Sequence, residues 1–149
     1  MFQPTNRKRR RSQAGVTLIE MLVVVTIIGL FVALVGPNLF KRADEAKITA
    51  ARAQIDSFMT SLGTYKLDIG TFPTSEQGLA ALRLKPADVN LWNGPYMPKD
   101  IPKDAWNRDF IYRFPGEHQT DEPEIVSLGA DGQPGGEGIN ADIVSWKNK

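Results

Sequence analysis

Oxygen-bearing side chains recur in a glycine-rich segment near the carboxyl end of the chain. Residues 127–143 contain five glycines together with Asp131, Glu137, Asn140 and Asp142. A hard cation such as Ca²⁺ takes about six to eight oxygen ligands, which a flexible loop with carboxylates can supply. The spacing differs from that of an EF-hand, and Asp-Gly and Gly-Gly pairs are first of all turn dipeptides. On the residues alone, an ordinary turn is the more frequent explanation and a cation site is the alternative.

A single carboxylate, Glu20, lies in an almost wholly apolar stretch from Val16 to Gly36, and five cations at positions 7–11 precede that stretch. A cationic flank ahead of roughly 20 apolar residues predicts one membrane-inserting helix with its amino end in the cytoplasm. A charge in hydrocarbon costs on the order of 2.5–3.5 kcal/mol, so Glu20 is expected to have a functional partner. The alternative is a carboxylate that only reaches the headgroup region.

Charge is distributed unevenly along the 149-residue chain. Residues 1–15 hold five of its 18 Lys and Arg and no acid, so residues 16–149 carry 13 cations against 17 carboxylates. An acidic remainder argues against nucleic-acid binding by the globular part.

Cysteine is absent, which excludes disulfides and thiolate metal sites. The length leaves room for one domain beyond the apolar segment.

Catalytic patterns are missing from the sequence. The single histidine, His118, lies in a polar segment where a solvated loop residue is the expected role. No nucleophile elbow, phosphate-binding loop, zinc-protease or dinucleotide-binding motif is present. The sequence therefore predicts that the protein is not an enzyme.

A long helix is predicted to carry these features. Beyond the apolar segment 16–37, apolar residues recur at steps of three and four, which predicts an amphipathic continuation over 38–69 that ends at Gly70. Gly29 and Pro37 are helix-weakening residues within this span.

Residues 70–149 have the pattern of a small mixed region. Thr74 or Ser75 opens a capping pattern that predicts a short helix, and Phe110–Phe114 and Glu124–Leu128 are predicted strands joined by a polar turn. Two short strands are not stable alone and must pack on the long helix. The predicted fold class is α+β, with a long N-terminal helix against a small C-terminal antiparallel sheet.

The sequence Gly15-Val16-Thr17-Leu18-Ile19-Glu20 resembles the processing site of type IV pilin-like precursors. The resemblance implies that prepilin peptidase removes residues 1–15 by cleaving between Gly15 and Val16 and then N-methylates Val16. It also implies that Glu20 neutralises the terminal amine of a neighbouring subunit. In that family the stretch matching Gly29 to Pro37 can unwind on filament assembly, so local melting is expected here.

Further motifs resemble the major pseudopilins of type II secretion systems, which have a pilin-like fold. They are F-P-T-S-E-Q-G-L-A-A-L from Phe72, N-G-P-Y from Asn93, K-D-A-W-N from Lys103 and S-L-G-A-D-G-Q-P-G-G-E-G from Ser127. The usual family text around the tryptophan is D-P-W-G-N, from which Ala105 and Arg108 depart.

The same resemblance implies a structural calcium ion in the glycine-rich loop. Asp131, Asp142 and the carbonyl of Leu128 are the leading expected ligands, and Ser127, Glu137 and Asn140 are further candidates. The family often has an additional Asp near position 138, where this chain has Gly138, so Glu137 or water is expected to fill that role.

The implied function is a single-pass protein of the inner membrane of a Gram-negative bacterium, with residues 70–149 in the periplasm. It would polymerise into a homo-oligomeric helical filament, the pseudopilus, that drives export of folded proteins. Its implied partners are prepilin peptidase, minor pseudopilins, the inner-membrane assembly platform with its cytoplasmic ATPase, membrane lipid and, indirectly, the secretin and the exoproteins.

Three other functions remain open at this point. The first is a type IV pilin of a surface or DNA-uptake filament. The second is a membrane-tethered periplasmic binding domain whose glycine-rich loop holds a ligand, and such a protein would tolerate Glu20→Leu. The third is a periplasmic enzyme, for which the sequence offers no catalytic constellation.

Overall fold

The computed structural model describes residues 15–148, which divide into one compact unit through Phe40 and a second from Lys41. The elements are helix α1 (Leu18–Ile69), three short 3₁₀ helices (Leu79–Leu82, Gly138–Asn140 and Trp146–Asn148) and three strands, β1 (Ile111–Arg113), β2 (Glu124–Ser127) and β3 (Ile143–Val144). The predicted α+β class and long N-terminal helix are confirmed.

Helix α1 begins immediately after Thr17. The Thr17 carbonyl accepts a hydrogen bond from the Met21 amide at 3.2 Å, and its Oγ1 accepts one from the Glu20 amide at 3.3 Å. A threonine in this position satisfies amide groups that otherwise lack partners at a helix start. The large apolar residues from Val16 to Phe40 are all exposed in the single chain. By length and composition, this part of the helix can cross a membrane.

The second unit has its own core, built on one stripe of α1. Ala51, Ile55, Phe58, Leu62 and Tyr65 follow one another at steps of three and four and are each no more than 1% exposed. This spacing keeps their side chains on one helix face. The stripe packs with apolar residues from the rest of the unit, which include Phe72, Leu79, Leu82, Met97, Phe110, Ile125 and Ile143. Gly70, at φ 91°, follows the helix end as predicted.

The sheet is antiparallel, in the order β1-β2-β3. Its first two strands lie within the predicted segments, with Tyr112 opposite Ile125. The third strand pairs Ile143 with Ser127 and was not predicted. It consists of two residues directly after the glycine-rich segment, so no alternating pattern marks it in the sequence.

The predicted short helix after Thr74 is only partly formed as expected. Thr74 and Gln77 do exchange hydrogen bonds in a capping box, at 3.0 and 3.2 Å. Gly78 then takes φ 59° and ψ −165°, which is incompatible with a continuing α-helix. The chain continues as a single 3₁₀ turn, Leu79–Leu82, with three of its four residues buried.

Candidate functional site

The predicted cleavage site lies at the exposed start of α1. Residues 15–17 precede the helix, Val16 is 62% exposed, and nothing approaches within 4 Å of a Cβ built on Gly15. A peptidase needs an accessible and extended backbone, and this non-helical, exposed segment suits that requirement. Glu20 is exposed in the first turn of the helix, so its carboxylate is available to a group outside the chain.

The span from Gly29 to Pro37 is helical in the single chain. A Cβ built on Gly29 would meet no atom within 4 Å, so the glycine is not required by packing within the chain. Unwinding of this span on assembly remains a prediction.

The glycine-rich segment folds back on itself between β2 and β3. The Ala130 amide donates to the Ile139 carbonyl at 3.0 Å, and the Asp142 amide donates to the Gly135 carbonyl at 3.1 Å. All five glycines have positive φ, and a Cβ on Gly136 would collide with the Asn140 carbonyl. A glycine at position 136 therefore permits the loop backbone there to pass close to the Asn140 carbonyl.

The predicted ligands occupy different environments. Asp131 and Glu137 are exposed, whereas Asn140 and Asp142 are half-buried. The Asp131 Oδ1 atom accepts from the Gln133 amide at 3.0 Å. Among residues 15–148, no cluster of three or more His, Cys, Asp or Glu side chains suited to a metal is formed. A cation in this loop would therefore depend on backbone carbonyls as well as on carboxylates.

Asp142 offers a carboxylate oxygen that a cation could satisfy. Its Oδ2 atom accepts from the Gly135 amide at 2.8 Å, while its Oδ1 atom is buried and has no hydrogen-bond partner. A buried acceptor without a partner is costly, and a hard cation would satisfy it. Within the described part of the chain, the other buried side-chain polar atom without a partner is Trp106 Nε1, a donor that a cation cannot satisfy.

Two further candidate ligands, the Ser127 hydroxyl and the Leu128 carbonyl, lie where β2 ends and the glycine-rich loop begins. The Leu128 carbonyl accepts from the Gly132 amide at 3.2 Å, and a carbonyl has a second lone pair for a metal. The Ser127 hydroxyl is fully buried and donates to Asp104 Oδ2 at 2.6 Å. This donation uses the hydroxyl proton and leaves the lone pairs of the oxygen, so Ser127 stays a candidate ligand.

The turn that departs from the usual family text is well formed. Asp104 Oδ1 accepts from the amides of Trp106 at 2.9 Å and Arg108 at 2.8 Å, and Asn107 takes the left-handed backbone at φ 65°. Asparagine tolerates this conformation better than most residues.

Arg108 reaches from this turn to the glycine-rich loop. Its Nη1 atom donates to the Gly129 carbonyl at 2.6 Å and its Nη2 atom donates to the Ala130 carbonyl at 2.9 Å. In the sequence, Arg108 stood out only as a departure from the family text, and this contact was missed. The signal available in the sequence was a cationic residue, Arg108, in a chain whose glycine-rich loop offers many backbone carbonyls.

His118 has partners that were not foreseen from the sequence. Its ring stacks on Trp146 with centroids 4.3 Å apart, and its Nδ1 atom lies 3.0 Å from Glu124 Oε1. Burial of Glu124 acts to raise its pKa, but hydrogen bonds from the His118 amide and ring and from the Glu117 amide outweigh this and lower the pKa. The His118 side chain is still 54% exposed, and the pair holds the turn before β2.

Comparison with known proteins identifies the relatives of this chain. A family described as "Type II secretion system (T2SS), protein G" matches residues 38–146, and the "Prokaryotic N-terminal methylation motif" matches residues 10–36. The type II secretion system core protein G of Pseudomonas aeruginosa is 42% identical over 144 residues, which cover 94% of this chain and 99% of that protein. Its counterpart in Vibrio cholerae is also 42% identical, over 142 residues that cover 93% of this chain and 95% of that protein.

A solved structure agrees with these sequence matches. The crystal structure of the major pseudopilin from the type 2 secretion system of enterohaemorrhagic Escherichia coli superposes with a TM-score of 0.61 at 32% identity. The match covers 74% of this chain and 95% of that one. The fold, the methylation motif and the full-length relatives agree, and the chain belongs to the type II secretion system protein G family.

Proposed function

We propose that this chain is the major subunit of a periplasmic pseudopilus whose growth drives folded proteins across the outer membrane. The family supplies the structural subunit of the pseudopilus in type II secretion. The observation that carries the proposal is the first part of α1, whose large apolar residues are exposed in the single chain. Such a surface requires lipid or other helices as its surroundings.

Assembly in the proposed filament depends on Glu20. Cleavage after Gly15 would give Val16 a terminal amine in the non-helical segment just before the first turn of α1, which carries this carboxylate. When a cation and an anion are paired in a low-dielectric environment, their attraction offsets the cost of removing each charge from water. The offset is largest when the two groups are also hydrogen-bonded. Each helix carries both the amine and Glu20 at the same end. Each copy can therefore pair through its amine with one neighbour and through Glu20 with another, and the contact repeats along the filament. Repeated contacts of this kind produce an open helical polymer.

The globular part of the proposed subunit lies in the periplasm. The five cations of residues 7–11 favour a cytoplasmic amino end by the positive-inside rule. Prepilin peptidase would remove these residues and methylate Val16. The further partners that we propose are minor pseudopilins, the inner-membrane platform with its cytoplasmic ATPase, and the secretin and the exoproteins indirectly. The subunit itself performs no chemistry in this proposal.

We further propose that the glycine-rich loop holds a structural Ca²⁺. The buried Asp142 Oδ1 atom without a partner supports this, and the Leu128 carbonyl and Asp131 are the next ligands in the proposal. When bound, the ion would supply positive charge to a loop that otherwise holds a buried, unpaired carboxylate oxygen. Glu137 and Asn140 are additional candidate oxygen donors.

Replacing Glu20 tests the filament proposal. Glu20→Leu removes the charge but keeps the segment apolar, so we expect normal membrane insertion and no pseudopilus. Thr26→Leu is the matched control, because Thr26 lies in the same segment and its hydroxyl donates to the Leu22 carbonyl of its own helix, at 2.7 Å. The readouts are membrane fractionation, cross-linking of subunits and secretion of an exoprotein. Filaments of normal abundance with Glu20→Leu would refute the role of this carboxylate.

Mass spectrometry tests the processing step separately. The purified membrane protein is expected to start at Val16 with one added methyl group. An intact Met1 in cells that contain an active prepilin peptidase would contradict the proposal, as would cleavage after residue 36.

A further inference from the structure

The start of the glycine-rich loop is held by a cation that belongs to the chain itself. Arg108 donates from two nitrogens of one guanidinium to two successive carbonyls, at 2.6 Å to Gly129 and 2.9 Å to Ala130. A planar guanidinium makes two such bonds at fixed geometry, which a lysine ammonium cannot reproduce.

The loop backbone is shaped to receive this guanidinium. A Cβ on Gly132 would lie 2.7 Å from Arg108 Nε and 2.8 Å from its Cζ, so the group packs directly on the glycine backbone. Gly132 also has φ 70°, a conformation that side-chain-bearing residues rarely adopt. Any side chain at position 132 would displace the guanidinium. The contact therefore requires glycine at position 132 as well as arginine at position 108.

Arg108 is itself fixed from the opposite side. Its amide donates to Asp104 Oδ1 at 2.8 Å, and its carbonyl accepts from the Asp104 amide at 2.8 Å. Asp104 is 7% exposed and its second oxygen accepts from the buried Ser127 hydroxyl at the end of β2. Arg108 thus connects a turn anchored on the sheet with the two residues that open the loop.

We propose that Arg108 is a built-in cation that orders residues 129–132 with or without metal. A bound metal ion would then link this ordered start of the loop, through the Leu128 carbonyl and Asp131, to Asp142. This second statement rests on the proposed calcium site, whereas the first does not. Arg108 is a positioning residue in this proposal, because it fixes the loop that carries the candidate ligands.

Hydrogen–deuterium exchange of the full mature chain in detergent tests the proposal, in EDTA and in millimolar Ca²⁺. The reporting amides are those of Ala130, bonded to the Ile139 carbonyl at 3.0 Å, and Gly132, bonded to the Leu128 carbonyl at 3.2 Å. Arg108→Met keeps a long side chain but loses the charge and the donors. We expect exchange at these amides to accelerate about ten- to hundredfold in EDTA.

Two further variants separate charge and geometry from packing. Arg108→Lys retains the charge without the fork, so we expect partial protection. Arg113→Met is the control, because Arg113 pairs at 2.6 Å with the exposed Glu117, outside the loop. It is expected to leave residues 129–132 as protected as in the unmodified chain.

The possible outcomes are distinct. Equal exchange of residues 129–132 in the unmodified chain and in Arg108→Met would overturn the proposal, as would protection of these residues that appears only with Ca²⁺. If Ca²⁺ changes exchange nowhere while Arg108→Met still exposes residues 129–132, the calcium proposal fails and the role of Arg108 stands. If Arg108→Met does not fold, Arg108→Lys gives the same comparison in a more conservative background.

Discussion

Replacing Asp142 by asparagine is expected to have opposite consequences with and without calcium. The unmodified chain has a buried Asp142 Oδ1 atom with no hydrogen-bond partner. In EDTA, this oxygen contributes an unfavourable term of about 1–3 kcal/mol to folding. Asp142→Asn removes the charge and retains an oxygen for the bond from the Gly135 amide, which is 2.8 Å long. We therefore expect the variant to be no less stable than the unmodified chain in EDTA.

With calcium present, the order of stability should reverse. A ligand that binds only the folded state stabilises it by about 2.7 kcal/mol at a hundredfold excess over its Kd. Asp142→Asn is expected to lose most of this term, because it removes a negative charge from the proposed site and Ca²⁺ affinity depends on the number of charged ligands. For a domain of this size, about 1 kcal/mol corresponds to roughly 4 °C in Tm. The unmodified chain should thus melt roughly 10 °C higher in calcium than in EDTA, and the variant should show almost no difference.

Differential scanning calorimetry of the two proteins in both buffers measures this crossover. Asp121→Asn is the control, because it removes one carboxylate from an exposed turn outside the loop. Elemental analysis of the protein before chelation gives the metal content. The calcium hypothesis is refuted if Tm is unchanged in EDTA and no metal is bound. It is also refuted if Asp142→Asn lowers Tm equally in both buffers.

Two further predictions concern stability outside the loop. Phe58 is fully buried and meets the Phe110 ring edge-on, with ring centroids 5.1 Å apart. Phe58→Ala should therefore lower the free energy of unfolding by about 3–5 kcal/mol, which urea titration measures. A loss below about 1 kcal/mol would contradict the packing. Glu124 has a folded-state pKa below its ordinary value of 4.5, so its stabilising effect is present above this ordinary value and is lost as the pH falls through the lowered pKa. Glu124→Gln should therefore be less stable at neutral pH and should approach the unmodified chain in acid, whereas a constant difference across this range would exclude the linkage.

The long helix and its buried stripe could be predicted because their signal is local. Apolar side chains at steps of three and four from Ile55 to Tyr65 belong to one face by helix geometry alone. The first two strands were recognisable for the same reason, since each is a run of β-branched and aromatic residues between turn signals. Gly70 marks the helix end through its left-handed backbone, a property of glycine rather than of its neighbours.

The parts that were missed depend on contacts between distant positions. Strand β3 has two residues, and only its pairing with Val126 and Ser127 makes it a strand. His118 is an exposed loop residue as expected, but its stacking on Trp146, far along the chain, was not foreseen. Arg108 bonds to carbonyls 21 and 22 residues away. No local pattern encodes such distances, because they are set by how the turn and the loop pack on the sheet.

In the proposed function, proteolysis at the amino end would control assembly without a change in the fold of the second unit. The core of the second unit is complete within one chain, so no rearrangement there is needed before association. The first part of α1 has exposed apolar residues on every side, and before cleavage it is preceded by five cations. Those cations favour the cytoplasmic face of a bilayer and repel one another in neighbouring helices. Cleavage would replace them with one amine at Val16, a charge that a single neighbouring Glu20 can neutralise. On this proposal, the uncleaved chain would be suited to insertion and the cleaved chain to polymerisation.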